Sequence, residues 1–327
     1  MATLITGGAG YIGSHMAFAL SDRGERIVIL DDLSTGRASS VPKSATLVIG
    51  NVGDSTRVRQ LIRECHVSTI IHFAGSVIVP ESVRNPMEYY FNNTINSCNL
   101  ITTALDCGIE RFIFSSTAAV YGNVDSVPVA EETPLHPVSP YGRSKVMTEL
   151  MLADAHAAYG LSYAVLRYFN VAGADPGMRT GQCSPAATHL IKVAVQAALG
   201  RRPALEIFGT DYPTFDGSCV RDYIHVSDLV QAHVAALDYL KAGGSPTTFN
   251  CGYGRGFSVF EVVDAVKRAS GVDFQVNFGS RRPGDPSYIV ASVKRISELL
   301  AWSPKLNDLH TIVAHALEWE KVLHKHQ

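Results

Sequence analysis

One stretch constrains this chain more than any other: "TLITGGAGYIGSH", followed by "IVILDD". It reads as a strand, a turn with glycine at 7, 10 and 13, a helix over 11–22, and a second strand ending at Asp31. Glycines let the backbone of such a turn pack tightly and approach a diphosphate. The helix N-terminus behind them offers free N–H groups and partial positive charge. Asp31 lies 18 residues past Gly13. A carboxylate there accepts from a ribose 2'-hydroxyl and repels a 2'-phosphate, which favours NAD over NADP. The spacing Gly-x-x-Gly-x-x-Gly is one residue wider at its start than in ordinary dehydrogenases, and a glycine turn with no ligand is the competing reading.

The same rhythm continues along the first half. Runs at 3–6, 26–30, 46–50, 68–74, 111–116 and 162–170 are apolar at their centres without alternation, as in strands covered on both faces. Helical patterns at 11–22, 54–65, 86–107 and 140–159 lie between them. This predicts an α/β fold, a Rossmann-like doubly wound parallel sheet over residues 1–170. A smaller C-terminal α/β lobe is expected over 171–327, with the chain crossing between lobes. There, "AATHLIKVAVQAAL" predicts a helix, and "VSDLVQAHVAALDYL" predicts another over 226–240 with Ser227 as N-cap. "SVFE" at 258–261 reads as a capping box, and "RRPGDPS" at 281–287 as a turn.

Composition narrows the function. The 327 residues are 46% hydrophobic and 18% charged, with net charge -2, so neither nucleic acid nor an anionic membrane is an expected partner. No run is long and apolar enough for a spanning helix, and "MATLITGGAG" lacks the regions of a signal peptide, so a cytoplasmic protein is expected. Six scattered cysteines fit free thiols in a reducing compartment. No clustered cysteine and histidine ligands suggest a metal; His66, His72, His310, His315, His324 and His326 read as structural or surface groups.

"SPYGRSK", residues 139–145, carries the chemistry. Ser139 can cap a helix whose first turn holds Pro140. Tyr141 and Lys145 then share one face at i and i+4. A phenol titrating near 10 must fall by about three units, or about 4 kcal/mol, to act as a base at neutral pH. One cation about 5 Å away supplies about 3 kcal/mol at an effective dielectric of about 20. The expectation is a phenol lowered by its lysine, with an oxidised nicotinamide adding the rest. From the heptapeptide alone an exposed tyrosine and a surface lysine fit better; the glycine turn upstream shifts the reading towards catalysis.

"TGGAGYIG", "SSTAAVYG" and "YGRSK", with "HFAG", "LRYFNVAGA", "FGTDYPTFDGSCVRDYIHV" and "RRPGD", resemble the extended short-chain dehydrogenase/reductase superfamily, and within it the UDP-glucose 4-epimerase family. The resemblance extends over nearly the whole chain. It implies reversible C4 epimerisation of a UDP-hexose through a 4-keto intermediate, with NAD as cofactor and a homodimer as the assembly. Thr117, Tyr141 and Lys145 would be catalytic. Gly7, Gly10, Tyr11, Ile12, Gly13, Asp31, Asn51, Val52, Phe73, Ala74, Gly75, Asn92, Ser115 and Tyr168 would bind the cofactor. Asn170, His189, Leu190, Glu206, Ile207, Phe208, Arg221, Arg282 and Asp285 would bind the substrate, the arginines pairing with its phosphates.

The chain departs from the family pattern at Asn51, where many relatives have Asp, at Val77, where some have a cofactor-binding Lys, and at His189, where some have Asn. A 4,6-dehydratase would need an Asp-Glu pair after the threonine, and a UDP-glucuronate decarboxylase a glutamate. Here Ala118-Ala119 stand instead. A sugar-nucleotide reductase and a non-catalytic NAD-binding regulator are the remaining alternatives. A residue after the Gly-Asp turn, Ile289 or its neighbour Tyr288, is expected to set which hexoses enter.

Overall fold

The structure, a computed structural model, describes residues 1–124, 126–184, 188–282 and 284–325. Its frame is a seven-stranded parallel sheet. Strands β1 (Ala2–Thr6), β2 (Ile27–Asp31), β3 (Thr46–Ile49), β4 (Val67–His72), β5 (Arg111–Thr117) and β6 (Ser162–Tyr168) come from the first half. The order is β3-β2-β1-β4-β5-β6, and a strand from the second half, Thr247–Cys251, adds itself beside β6. Alternate residues of each strand feed two separate cores. Ile5, Ile29, Ile71, Ile113 and Leu166 pack on one face, while Leu4, Val28, Ile70, Phe112 and Val165 pack on the other. The unbroken apolar runs are the consequence of this two-sided burial.

Helices α1 (Tyr11–Asp22) and α2 (Ser55–Cys65) follow β1 and β3, with Asp54 capping α2 by accepting from Arg57 N. The expected helix over 86–107 is not continuous. Short helices α3 (Val79–Arg84) and α4 (Pro86–Tyr89) lead into a π-helical turn over Tyr90–Ile95, and α5 (Asn96–Asp106) follows. The π turn accommodates Asn92 and Asn93, whose side chains bond to Ser76 rather than to solvent. Helix α6 runs Pro140–Tyr159, between the Ser139 cap and Gly160 in the left-handed conformation.

The expected strand over 162–170 also breaks. At Phe169 the chain leaves the large sheet, and β7 (Asn170–Ala172) joins a second one. After α7 (Leu190–Ala198), that lobe contains β8 (Leu205–Phe208) and β9 (Val220–His225). Helix α8 (Val226–Lys241) returns to the large sheet, where its Leu229, Ala232 and Leu237 share a core with Ile5 and Ile29. It leads into the seventh strand, β10 (Thr247–Cys251). The N-cap of α8 is His225, not Ser227: the His225 ring accepts from Ser227 N at 3.0 Å. The rest comprises β11 (Gly256–Ser258), α9 (Val259–Ser270), β12 (Val276–Gly279), β13 (Tyr288–Ile289), α10 (Lys294–Leu300) and α11 (Leu309–Lys325). Helix α9 opens on the expected capping box of Ser258 and Glu261. Strand β9 is flanked by β11 and β13 and also pairs with β7.

No helix among the described residues is long and apolar enough to cross a membrane, and no group of three or more His, Cys, Asp or Glu among them is arranged for a metal. All six cysteines are free thiols. His72 is fully buried, bonded to Thr6 and Ser97.

Candidate active site

Strand β1 has β2 on one side and β4 on the other, so the strand order reverses there. The carboxyl ends at such a switch point are where doubly wound sheets bind ligands. Gly7 follows β1 with φ +68°, and a Cβ on it would stand 2.6 Å from the Ala74 nitrogen. A Cβ on Gly13 would fall 2.2 Å from the Gly7 oxygen. Side chains at either position would push the turn away from the Phe73–Gly75 segment beyond β4 or from the start of α1. No side chain caps α1 at Gly10. The first-turn N–H groups of Tyr11, Ile12 and Gly13 are left for a ligand at the positive end of the helix dipole.

Asp31 braces this turn. Its carboxylate accepts from Ala9 N at 2.9 Å and from Leu33 N at 2.8 Å. Burial pushes its pKa up, and those N–H bonds pull against the rise. A backbone cradle without side chains, with an acid at its rim, fits a dinucleotide. Asn51 turns its side-chain oxygen to Gly53 N at 2.8 Å, and Val52 beside it is buried.

Across the cleft, Asn92 donates to Ser76 Oγ at 2.9 Å. Its neighbour Asn93, not anticipated from the sequence, accepts from Ser76 N at 2.7 Å and donates to Ser76 O at 2.9 Å and to Ser144 Oγ at 3.0 Å. It therefore ties the segment after β4 to α6. Two adjacent asparagines inside a helical pattern were the available signal, because asparagine is a poor helix former with a side chain that seeks backbone partners.

Helix α6 brings the chemistry to this cleft. Ser139 accepts from Gly142 N at 3.1 Å, and Tyr141 and Lys145 are both buried. Lys145 Nζ donates to Ser115 O at 3.1 Å and lies 4.9 Å from the Phe114 ring centroid. It is also 3.6 Å from where a Cβ on Gly75 would stand. Thr117, at the end of β5, accepts from Ala119 N at 3.1 Å. Ser115 Oγ lies 3.3 Å from His233 Nε2, and Tyr168 is close enough for Tyr141 to influence it.

Burial pushes the Tyr141 phenol up to about 12, the Thr117 hydroxyl offsetting part of the rise. Burial also pulls Lys145 down to about 8, with Glu149 opposing. The expectation of a phenol lowered by its lysine is therefore not met by the protein's own groups. Taking a phenolate out of water costs more than is returned by an ammonium turned to the Ser115 carbonyl.

The second lobe supplies polar groups opposite. Arg221 donates to Asp285 at 3.3 Å. The Arg282 guanidinium stacks 3.8 Å from the Phe208 ring centroid. A small pocket is lined by Asn170, Gln182, His189, Leu190, Tyr223 and Trp319, among others. Gln182, absent from the expected set, bonds to the His189 ring at 2.8 Å. Alternation along β8 buries the Ile207 side chain, 1% exposed, in the lobe's core and turns Glu206 and Phe208 outward, leaving Ile207 only its backbone for a ligand. The register after the Gly-Asp turn is also fixed. Ile289 is buried beside Ala118 and Tyr121, while Tyr288 is 40% exposed with its hydroxyl towards Gly256.

This fold, with a glycine cradle at its switch point and a buried threonine, tyrosine and lysine beside it, defines a dinucleotide-dependent enzyme. The model of the NAD dependent epimerase/dehydratase family matches residues 3–252, and the chain belongs to that family. It is 56% identical to the UDP-glucose 4-epimerase of Azospirillum brasilense over 320 residues, 98% of this chain and 92% of the relative. Among solved structures, it is similar to UDP-glucose 4-epimerase from Brucella ovis in complex with NAD, at TM-score 0.94 and 41% identity, over 97% of each chain. It is also similar to the UDP-Glc/GlcNAc 4-epimerase from Campylobacter jejuni, at TM-score 0.86 and 47% identity, covering 98% of this chain and 99% of that one.

Proposed function

We propose that this chain interconverts UDP-glucose and UDP-galactose by inverting C4, with Thr117, Tyr141 and Lys145 as the catalytic group. The observation that carries this reading is the convergence of those three buried side chains where the sheet ends beside the glycine cradle. NAD, when bound, would supply the redox chemistry the side chains lack, taking up hydride from the sugar C4 and giving it back. Gly7, Gly10 and Gly13 would hold its diphosphate and Asp31 its adenosine ribose, while Lys145 would reach the nicotinamide ribose.

Tyr141 takes the proton of the C4 hydroxyl, which Thr117 positions by a hydrogen bond. Lys145 supplies positive charge on the same face of α6, which favours the phenolate. Arg221 and Arg282 grip the substrate diphosphate together with Asn170 and His189, and Asp285 takes the uridine ribose. Firm grip on the nucleotide leaves the 4-keto hexose free to turn about its bond to the diphosphate. Tyr141 then returns the proton to the C4 oxygen as hydride comes back to the opposite face of C4. Ala118 and Ala119 after Thr117 cannot transfer protons, which supports epimerisation over elimination of water. The reaction belongs to galactose and nucleotide-sugar metabolism, and six free thiols support a reducing cytoplasm as its location.

The assembly we propose is a homodimer. Val83, Met87, Phe91 and Ile95 are exposed along the 79–106 segment, as are Met147 and Leu150 on α6; Met87 is 70% and Phe91 59% exposed. An apolar stripe of this kind on α6 and the broken helical segment beside it supports pairing with a second copy.

The test is to incubate the purified protein with UDP-galactose and NAD and follow UDP-glucose formation together with absorbance at the NADH band. Product accumulation over many turnovers with a flat NADH signal is expected. Stoichiometric NADH production would establish a net dehydrogenase instead.

A further inference from the structure

Lys145 is 3% exposed, and a buried ammonium without an anion nearby sheds its proton. The next turn of α6 provides that anion. Tyr141, Lys145 and Glu149 stand at i, i+4 and i+8 on one face, all buried. The last three residues of β5 each engage one of them. Ser115 accepts from Lys145 Nζ through its carbonyl, Ser116 Oγ donates to Glu149 Oε1 at 2.5 Å, and Thr117 adjoins the Tyr141 phenol.

Glu149 is itself held rigidly. Arg167, paired with Ser116 in the register of β5 and β6, donates from Nε to Oε1 at 3.0 Å and from Nη2 to Oε2 at 2.5 Å. Arg167 Nη1 donates to Tyr121 OH at 3.0 Å, and Tyr121 OH donates to Asn250 Oδ1 at 2.7 Å. The clamp therefore ties α6, β5 and β6 to the Tyr121 loop and β10. A bidentate, fully bonded carboxylate has little freedom to move, and its charge stays in place.

We propose that Glu149, clamped by Arg167, is a positioning residue of this enzyme: its carboxylate keeps the Lys145 ammonium charged and seated on Ser115, one turn from the catalytic phenol. The inference rests on the proposed roles of Tyr141 and Lys145 and adds the group that acts through them. The groups facing Lys145 are Tyr141 and Glu149 on its own helix, His72 from β4, and the Ser115 carbonyl and Phe114 ring from β5, with Arg167 behind Glu149 and Tyr168 from β6 beside Tyr141. Tyr89, from α4, meets Tyr141. His72 is kept neutral by burial and by the ammonium itself. Among the described residues, Glu149 is the carboxylate whose charge raises the proton affinity of Lys145.

The experiment titrates Lys145 directly by NMR of protein labelled at lysine Cε, with and without NAD, the resonance being assigned with Lys145→Arg. Glu149→Gln is expected to move the Lys145 midpoint down by about one to two pH units. The alkaline limb of kcat for UDP-galactose should move with it, and kcat at pH 8 should fall by about ten- to a hundredfold, less than a full loss of acid–base catalysis. Glu149→Asp, which keeps the charge, should retain most of the wild-type midpoint. Should Glu149→Gln not fold, the pair Glu149→Met with Arg167→Met removes both buried charges together, and a downward displacement is still expected, smaller because the more distant opposing Arg167 charge goes too. A folded variant lacking the carboxylate, with the wild-type Lys145 midpoint, would overturn the inference. A wild-type protein without UDP-galactose turnover would instead defeat the proposed function, and the NMR titration would still judge the role of Glu149.

Discussion

Lys145 Nζ donates to the Ser115 carbonyl oxygen at 3.1 Å, so the one cation on the catalytic face of α6 is anchored to the strand that ends in Thr117. Burial leaves the Tyr141 phenol at about 12, and it is protonated at neutral pH until further positive charge arrives. Tyr141→Phe removes the proton acceptor while keeping the ring that meets Tyr89 edge-on. Its kcat is expected to fall by about 10²–10⁴, with NAD affinity and thermal midpoint close to wild type. Steady-state turnover of UDP-galactose and calorimetry check this; near-normal turnover would remove Tyr141 from the chemistry.

Asp31 bonds both Ala9 N and Leu33 N, so it braces the glycine turn in addition to its proposed contact with the cofactor ribose. Asp31→Asn replaces a carboxylate acceptor by a neutral amide. Its NAD dissociation constant is expected to rise by about ten- to a hundredfold, the worth of one or two charge-assisted bonds. Isothermal titration with NAD and NADP measures both halves of the claim. Equal affinity for the two cofactors in the wild type would contradict the role of Asp31 as a barrier to a 2'-phosphate.

Where local chemistry punctuates the chain, the sequence was readable. Helices α1 and α6 begin and end where expected because glycine precedes one and Ser139-Pro140 and Gly160 bracket the other. Strand centres were legible because two-sided burial demands uninterrupted apolar runs. What escaped depends on distant partners. The π turn at Tyr90–Ile95 exists because Asn92 and Asn93 meet Ser76, well upstream, and the break at Phe169 reflects a choice between two sheets that an apolar run does not encode. The His225 cap escaped because a histidine ring is an uncommon acceptor for a helix terminus. The direction of the Tyr141 shift escaped because burial is a property of the assembled site, and a pairwise estimate from helix spacing omits it.

Acid should destabilise the fold through buried histidines. Burial holds His72 and His225 near about 3, and His15 and His233 near about 4. Each is neutral when folded and takes up a proton on unfolding below its ordinary value near 6.5. The unfolded state then binds more protons, and stability rises with pH between about 4 and 6.5. Asp222, pushed up to about 6, opposes with one proton in the same window. Taken together, these five groups favour a net uptake of protons on unfolding near pH 5. Denaturant titrations from pH 4.5 to 7 should show a steep rise in stability, and a flat profile would contradict the neutral histidines.

Phe91, 59% exposed, lies on the apolar stripe that runs from Val83 to Ile95. If a second copy covers this face, Phe91→Asp places a charge in an apolar interface, where an unpaired carboxylate is costly. Sedimentation is expected to report a dimer for the wild type and a monomer for the variant, whose exposed side chain leaves the fold of each chain intact. A wild type that sediments as a monomer at micromolar concentration would contradict the homodimer.

Sugar breadth follows from which residue after the Gly-Asp turn faces the catalytic cleft. Parallel pairing of β13 with β9 sets Ile289 opposite Arg221 and Tyr288 opposite Val220. Ile289 packs with Ala118 and Phe169, the immediate neighbours of Thr117 and Asn170, whereas Tyr288 is directed at Gly256 on β11. The larger side chain is thus turned away, and with the hexose held between Thr117 and Asn170 as proposed, the smaller one would border it. UDP-GlcNAc should therefore be accepted, with kcat/KM within about tenfold of UDP-glucose, since moderate steric differences in a pocket are worth about 1–3 kcal/mol. Ile289→Tyr should close that space, lowering kcat/KM for UDP-GlcNAc by about a hundredfold while sparing UDP-glucose. Parallel assays of the two nucleotides on both proteins decide it: if the wild type rejects UDP-GlcNAc, Ile289 is not the gate.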